Sequence, residues 1–315
     1  MIYKYYPPTG YTFEALIRNY FFFNKAAKQN DPFDTSFSLL QSKMVLETLG
    51  YDQQGQSLVE NIMGDYGSCC FSKRCDNKHL WSFYAANYTG LVIGYDETKF
   101  KDYSKFSIRI PFVKVDYVDN PITDSDLDKS FRLNLPLYGD FPNDYRTQSH
   151  TYRECLCDEK LQDLLFTHLC CIKEQATWAI EEEYRLIAAL DVMCTENRAR
   201  LERHGFEYLE SGYKIPIPYD CVKEIIIGHN FDMKEIGWVK QIAEKYDVKI
   251  ILQTKAEKPF DIEFVDITKK LIPQITVDEG IKGYVEEEVD LDLEGHKFVD
   301  FIDSQQSTRN GSKYI

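Results

Sequence analysis

One stretch of the sequence decides the fold, Ile180-Glu-Glu-Glu-Tyr-Arg-Leu-Ile-Ala-Ala-Leu190, because it joins a row of charges to an apolar run. We predict a long strand over this range. Side chains at every second position of a strand face the same way, so Glu181, Glu183 and Arg185 would line one face. Burying charges is costly unless they are paired. Two interpretations follow: an edge strand with a solvated face and an internal Glu–Arg pair, or an acidic row that lines a cleft.

Segments rich in apolar residues on both sides of this stretch predict further strands. They lie at residues 2–6, 19–24, 67–72, 90–95, 107–110, 112–117, 222–228 and 248–252. Helical patterns lie at residues 12–18 with Thr12 as N-cap, 37–49, 50–66, 79–87, 158–172 and 233–246. Residues 119–155 are rich in Asp, Pro, Asn and Gly and predict a loop. The predicted fold is therefore α+β, with mixed, mostly antiparallel central sheets flanked by helices.

The chain divides into two parts by composition. Residues 1–255 are predicted to form a single α+β domain with the character of an enzyme. Residues 256–315 form a C-terminal extension whose run Glu286-Glu-Glu-Val-Asp-Leu-Asp-Leu-Glu294 is acidic. We expect this extension to bind a partner, to join copies of the chain or to be partly disordered, and a plain solvated tail is an equal alternative.

The bulk composition narrows the classes of function. A net charge of −14 argues against a broad nucleic-acid-binding surface, which needs clustered Lys and Arg, but leaves room for a small nucleotide site. No stretch approaches the roughly 20 apolar residues that span a bilayer, and the N-terminus has no secretory signal. Nine cysteines without an export signal indicate reduced thiols and a cytoplasmic protein. Their spacing lacks the paired C-x-x-C of zinc sites, so we assign no metal.

Five short motifs occur in one order along the chain. They are Tyr3-Lys-Tyr5, Asn30-Asp-Pro-Phe-Asp34, Cys70-Phe-Ser72, Leu80-Trp-Ser-Phe-Tyr-Ala85 followed by Gly90, and Trp178-x-x-Glu-x-Glu-Tyr-Arg185. Together they resemble a widespread bacterial family known only as domain of unknown function 2971, over residues 1–252. That family often has His at the position of Phe83, so a mechanism that needs an imidazole there would lack it in this chain.

The order of the motifs is also similar to ADP-ribosyltransferase folds of the toxin class. Those folds begin with a strand bearing an aromatic-basic signature, continue with a strand bearing Ser or Thr, and end with a strand carrying Glu-x-Glu. The resemblance implies an enzyme that consumes NAD as its substrate, either an ADP-ribosyltransferase or an NAD glycohydrolase. It also implies the role of a bacterial toxin or phage-defence effector. The acidic net charge favours a protein or a small molecule as acceptor over DNA or RNA.

The same resemblance implies roles for individual residues. Cleavage of the nicotinamide–ribose bond builds positive charge on the ribose, which a fixed carboxylate stabilises. Glu183 is expected in this role, and Glu181 is expected to orient an acceptor or to act as general base. The remaining predicted contacts are a tyrosine stacked on the nicotinamide (Tyr5 or Tyr84), a ribose contact (Ser72), a phosphate contact (Lys4) and two further substrate-binding residues, Tyr3 and Arg185.

Each assignment has a structural alternative. Ser72 would serve as a strand-end hydroxyl and Lys4 as a solvated strand residue, while Trp81 and Tyr84 would pack in the core from one helix face. For the whole chain, the alternative is a non-enzymatic nucleotide-sensing or scaffold module that acts through residues 256–315. A third hypothesis is a nucleic-acid-processing enzyme that holds Mg²⁺ on the acidic row.

Overall fold

A computed structural model describes residues 1–25, 47, 66–106, 110–132, 149–189, 199, 201–218, 220–256 and 261–272. Within these ranges the fold is α+β, with a mixed, mostly antiparallel sheet flanked by helices. The predicted fold class is confirmed at this level. The predicted turn at residues 30–34, the helices at 37–49 and 50–66 (apart from Glu47 and Tyr66) and the segment 107–109 lie outside the described residues, as do residues 273–315.

The element bounds are as follows. The strands are β1 Ile2–Tyr6, β2 Tyr20–Lys25, β3 Tyr66–Ser72, β4 Leu91–Tyr95, β5 Phe112–Lys114, β6 Asp116–Val118, β7 Ser130–Phe131, β8 His150–Thr151, β9 Ile172–Glu174, β10 Glu183–Ala189, β11 Glu207–Leu209, β12 Gly212–Pro216, β13 Val222–Ile227, β14 Lys249–Lys255 and β15 Ile262–Asp266. The α-helices are α1 Gly10–Arg18, α2 Lys78–Phe83, α3 Tyr152–Cys157, α4 Glu159–Leu169, α5 Gln175–Trp178, α6 Ile236–Tyr246 and α7 Thr268–Leu271. Segments of 3₁₀ helix lie at Glu97–Phe106, Asp124–Asp126, Ala179–Glu181 and Met233–Glu235.

One large sheet organises these elements. Its strands follow the order β11-β12-β2-β3-β1-β4-β13-β14-β15, and β10 pairs with both β3 and β5. The β13–β14 pair is parallel, and the other pairs of this sheet are antiparallel. Helix α6 makes the crossover between the two parallel strands, which a parallel connection requires.

A local separation of strands lies in the middle of this sheet. Strand β1 pairs with β4 from Ile2 to Tyr6, but it meets β3 only where Tyr3 lies opposite Ser72. Strand β2 pairs with the other end of β3, where Asn24 lies opposite Ser68. The sheet therefore has a gap beside the middle of β3, between the ends of β1 and β2.

Aromatic side chains fill the main core of the sheet. Phe71, Tyr95 and Phe112 are buried, and Phe21 packs edge-on against Phe71 and Tyr95 with ring centroids 5.3 and 5.0 Å apart. Edge-to-face pairs contribute about 0.5–1.5 kcal/mol beyond their buried area. A second cluster packs α3 and α4 against the other side of β10, where Ile187 is buried.

The predicted strand over residues 180–190 starts later than expected. Ala179–Glu181 is a 3₁₀ turn, Glu182 has a left-handed backbone with φ of 47°, and the strand begins at Glu183. Two long-range hydrogen bonds hold the turn: Ser72 Oγ donates to the Glu181 carbonyl at 2.8 Å, and Asn77 Nδ2 donates to the Ile180 carbonyl at 2.6 Å. The prediction that Glu181 lies on the same strand face as Glu183 is therefore wrong.

Two smaller predictions also need correction. Helix α1 begins at Gly10, and its N-cap is Thr9, whose side chain accepts from the Thr12 amide at 3.4 Å, so Thr12 is not the cap. Residues 119–155 are not loop throughout, because they contain β7, β8 and the start of α3. Thr151 and Glu154 form a capping box there, a signal that marks a helix start within a polar segment.

The predicted extension contributes to the sheet at its beginning. Strand β15 pairs antiparallel with β14, with Leu252 opposite Val265, and α7 follows. The sheet therefore continues past residue 255 in the described chain. Among the described residues, no helix is both long and apolar enough to cross a membrane.

Replacing Gly90 by Ala should destabilise the fold. A Cβ at this position would lie 2.1 Å from the Tyr6 carbonyl oxygen and 3.0 Å from that of Ala85, so the backbone of β1 would have to move. We expect a loss of about 1–3 kcal/mol in the free energy of unfolding, measured by urea denaturation. The matched control is Gly237→Ala in α6, where a Cβ meets nothing within 4 Å and helix propensity should increase stability. Equal stability of both variants would contradict the expected clash.

Candidate functional site

A cavity opens at the gap in the sheet. Its volume is ≈ 150 Å³, and its lining residues are Tyr3, Lys4, Tyr5, Asn24, Cys70, Phe71, Ser72, Leu80, Tyr84, Lys173, Trp178, Glu181 and Glu183. Every predicted site residue except Arg185 is in this lining. The register explains part of this convergence, because Tyr3 lies opposite Ser72 and Ser72 lies opposite Glu183 on three neighbouring strands. Residues opposite each other in antiparallel strands point to the same face.

Four buried charges form one wall of the site. Lys173 Nζ donates to Glu181 Oε2 at 2.7 Å and to Glu183 Oε2 at 3.0 Å. Arg185 donates to Glu183 through Nε at 2.7 Å and through Nη2 at 3.0 Å. The side chains of all four residues are at most 5% exposed. The edge strand with a solvated face is wrong, because β10 pairs with both β3 and β5 and these side chains are buried; the internal Glu–Arg pair is present, and it lies beside a cleft.

The two carboxylates differ in how completely they are held. Both oxygens of Glu183 accept hydrogen bonds from Arg185, and Lys173 adds a third. Glu181 is bound through Oε2, whereas its Oε1 is buried and has no hydrogen-bond partner in the described part of the chain. Glu183 is therefore held through both oxygens, whereas Glu181 has one buried oxygen that Lys173 does not bind and the Tyr84 hydroxyl beside its carboxylate.

Their pKa values move in opposite directions. Burial raises the pKa of Glu181 above its ordinary value; the charge of Lys173 opposes this shift, and the neighbouring Glu183 adds to it. Burial would also raise the pKa of Glu183, but the charges of Arg185 and Lys173 outweigh it and lower that pKa. A pair of carboxyl groups separated in this way is typical of acid–base sites.

Lys173 is the residue that sequence reasoning missed. It lies on β9, directly after the helix predicted over 158–172, which in the structure already ends at Leu169; β9 pairs with β6 outside the main sheet. Its ammonium is 4.4 Å from the centroid of the Trp178 ring, which adds a cation–π contact. One feature of the sequence could have indicated it: Lys173 directly follows the apolar run Leu169-Cys-Cys-Ile172. A lysine that is buried among apolar residues needs an acidic partner.

Several residues that were predicted to contact a ligand make hydrogen bonds within the protein. Ser72 Oγ holds the Glu181 carbonyl, which makes Ser72 a positioning residue for Glu181. Tyr5 donates its hydroxyl to the Arg74 carbonyl at 2.7 Å and packs edge-on against buried Trp81. The core alternative therefore describes Trp81, while the role of Tyr5 in stacking on a ligand stays a prediction.

Tyr84 and Trp178 form the half-buried aromatic part of the lining, together with Tyr3. Burial and then the nearby Glu181 carboxylate raise the pKa of Tyr84, so its phenol stays protonated and adjoins that acid. Phe83, at the end of α2, is 72% exposed and does not belong to the lining. The side chain at position 83 therefore has no direct place in this site.

Lys4 lies on the face of β1 opposite to Tyr3 and Tyr5, by strand alternation. Its Nζ donates to the Cys70 carbonyl at 3.1 Å, in the gap between the strands, and lies 5.5 Å from the Phe71 ring centroid. Lys4 therefore joins the two edges of the gap. Its predicted contact with a phosphate stays a prediction.

No metal centre is visible in the described residues, where no group of three or more His, Cys, Asp or Glu is arranged to hold an ion. Both Glu181 and Glu183 have Lys173 as their counter-ion instead. The polar groups of this wall are two carboxylates, the amino group of Lys173 and the guanidinium of Arg185.

The chain was compared with known proteins in three ways. No protein-family model, no curated protein and no solved structure matches it. The resemblance to domain of unknown function 2971 therefore stays a prediction, and the site has to be interpreted from its own geometry.

Removal of the Arg185 charge should be strongly destabilising. Arg185→Met leaves Glu183 buried beside a second carboxylate with only Lys173 to compensate both, and breaking a buried pair costs about 3–5 kcal/mol. Urea denaturation of the variant and of Arg153→Met provides the comparison. Arg153 pairs with Asp128 on the surface, so its replacement should change stability little. If both variants were equally stable, Arg185 would not be the counter-ion of Glu183.

Glu181 should make stability depend on pH in a defined direction. Because its pKa is raised in the folded state, its contribution is present below its ordinary pKa of 4.5 and is lost as the pH rises through the higher folded value. The neutral Glu181→Gln variant lacks this loss. Its melting temperature relative to the wild type should therefore increase as the pH rises from below 4.5. Glu182→Gln, at a side chain that is 48% exposed, provides the comparison. A trend of opposite sign would contradict the raised pKa.

Proposed function

We propose that this chain is an NAD-consuming enzyme, an ADP-ribosyltransferase or NAD glycohydrolase, whose reaction takes place in the cavity beside Glu181. One observation carries the proposal: Glu181 has a raised pKa and a buried oxygen without a partner, next to a firmly held Glu183 and an aromatic lining. Perturbed carboxyl groups in a cleft are candidates for catalytic residues. A bacterial toxin or phage-defence effector is the biological role that fits such an activity.

The proposed reaction breaks the bond between ribose C1′ and the nicotinamide nitrogen. The electron pair of this bond goes to the ring nitrogen, which loses its positive charge, while positive charge develops on the ribose. A fixed carboxylate nearby stabilises that charge, as in glycoside hydrolysis. Glu183 supplies the fixed negative charge, and its two cationic partners keep it ionised.

Glu181 is then the general base. A nucleophile that attacks C1′ has to lose a proton, and Glu181, which lines the cavity, has a carboxylate oxygen that Lys173 does not bind. A carboxylate with a raised pKa is the better base of the two, since basicity rises with pKa. Lys173 orients both carboxylates, and Ser72 orients the backbone of Glu181. This division of roles agrees with the sequence-based expectation for both acids.

The arrangement of motifs gives the proposal a second support. An ADP-ribosyltransferase-like site would combine an aromatic strand, a Ser-bearing strand and a Glu-x-Glu strand. Here Tyr3, Ser72 and Glu183 occupy one row across β1, β3 and β10. The likeness concerns the order and neighbourhood of the motifs, and the cavity chemistry is independent of it.

The alternative function is a non-enzymatic nucleotide-sensing or scaffold module that acts through its C-terminal extension. The observation that favours it is the internal balance of the four buried charges, two acidic and two basic, which is also what a structural network would have. In that case the cavity would bind a nucleotide and leave it intact.

The proposed activity is tested by incubating purified protein with NAD and measuring released nicotinamide by chromatography. We expect cleavage by the wild type and a decrease of about 10²–10⁴-fold for Glu181→Gln, because the general base is removed. The matched control is Glu182→Gln, whose side chain is 48% exposed, and it should retain activity within about twofold. Circular dichroism melting of each variant verifies that it is folded.

Two outcomes would contradict the enzyme. If the wild type binds NAD in calorimetry without releasing nicotinamide, the sensing module is the better description. If the protein neither binds nor cleaves NAD, the cavity serves a different ligand and the NAD proposal fails.

A further inference from the structure

We infer that the acceptor in this reaction is water, so that the protein hydrolyses NAD to ADP-ribose and nicotinamide. This inference rests on the proposed function and selects between the two activities that it leaves open. It follows from where the general base lies and from how little space surrounds it.

Glu181 Oε1, the oxygen that would accept the proton, is inaccessible to large groups. Glu181 is 3% exposed, and its Oε1 is buried. Tyr84 adjoins the carboxylate on the cavity side, and Trp178 covers Lys173, the ion-pair partner of Glu181, at 4.4 Å. A general base acts only within hydrogen-bond reach of the proton that it takes. Any acceptor must therefore pass the aromatic side chains and reach the buried oxygen.

The size of the cavity excludes most acceptors once the substrate is bound. Its ≈ 150 Å³ is well below the roughly 300–1,000 Å³ of ordinary ligand sites. A nicotinamide ring and the ribose carbon bonded to it would compete with any acceptor for this space. A water molecule needs only about 10–15 Å³ of accessible volume. An amino-acid side chain would need far more, and it would share the cavity with the lining side chains Tyr84 and Trp178.

The chemistry of Glu181 Oε1 also favours water. Buried carboxylate oxygens are nearly always hydrogen-bonded, either to protein or to water. Within the described residues, Oε1 has no hydrogen bond of ordinary geometry to the protein, and the Tyr84 hydroxyl is the group that interacts with this carboxylate besides Lys173. Water, like the smallest alcohols, is small enough to hydrogen-bond this oxygen while the ribose carbon lies next to it.

The proposed step is balanced as follows. The oxygen of water forms a bond to ribose C1′ while the bond from C1′ to nicotinamide breaks, and that electron pair returns to the ring. One water proton passes to Glu181 Oε1 and then to solvent. The products are ADP-ribose, neutral nicotinamide and one proton, and no oxidant or reductant is required.

The test uses the full-length wild-type protein in water enriched in ¹⁸O. NAD is supplied with a choice of nucleophiles: water, methanol as a small alcohol, and agmatine as a model of an arginine side chain. Mass spectrometry identifies the products. We expect ADP-ribose that carries one heavy oxygen, in an amount equal to released nicotinamide, together with some methyl-ADP-ribose. Agmatine should give no adduct, because it does not fit beside the bound substrate.

A second arm searches for transfer to macromolecules. Biotinylated NAD is added to the protein with bacterial lysate, and blots reveal labelled products; Glu181→Gln is the control. Labelled protein or nucleic acid that depends on Glu181, or an agmatine adduct, would overturn the inference while leaving the proposed NAD-consuming activity intact. Absence of nicotinamide release in every arm would instead overturn the proposed function and the inference together.

Discussion

The bidentate pair between Arg185 and Glu183 is the interaction on which the rest of the site depends. Arg185 is fully buried, and besides its two bonds to Glu183 it donates through Nη1 to the Cys170 carbonyl at 2.7 Å. One guanidinium thus connects β10, the end of the helical layer and the acid beside the cavity. Because neither charge can be solvated, each requires the other, and this requirement fixes the geometry of the start of β10.

The hydrogen bonds that hold Glu183 also shape the surroundings of Glu181. Lys173 is shared between the two acids, so its charge is only partly available to Glu181. Burial and the neighbouring Glu183 carboxylate raise the pKa of Glu181 against the opposing charge of Lys173. Two glutamates separated by a single residue in the chain therefore acquire different chemical properties from their surroundings. The left-handed Glu182 between them makes this difference in position possible.

Much of the site was predictable because patterns within short sequence segments indicate its residues. The alternation in β10, the apolar β4 and the order of the motifs identified residues that the register then brings together, such as Tyr3, Ser72 and Glu183. The 3₁₀ turn before β10 was not predictable, because it depends on hydrogen bonds from Ser72 and Asn77, more than 100 residues away. Lys173 escaped detection for the same reason: nothing near it in sequence shows that β9 approaches the sheet. Periodicity describes one element at a time and does not show which elements meet.

The contacts that build the cavity join residues that are far apart in the sequence, and this separation affects when the cavity forms during folding. The bond from Ser72 to Glu181 links residues 109 positions apart. Such non-local contacts form late, because closing a long loop precedes the gain from pairing. During synthesis, a chain that has not yet reached β10 lacks both acids and the arginine that orders them. The cavity therefore exists only after β1, β3 and β10 have assembled, and an incompletely made chain lacks the paired buried charges of the finished one.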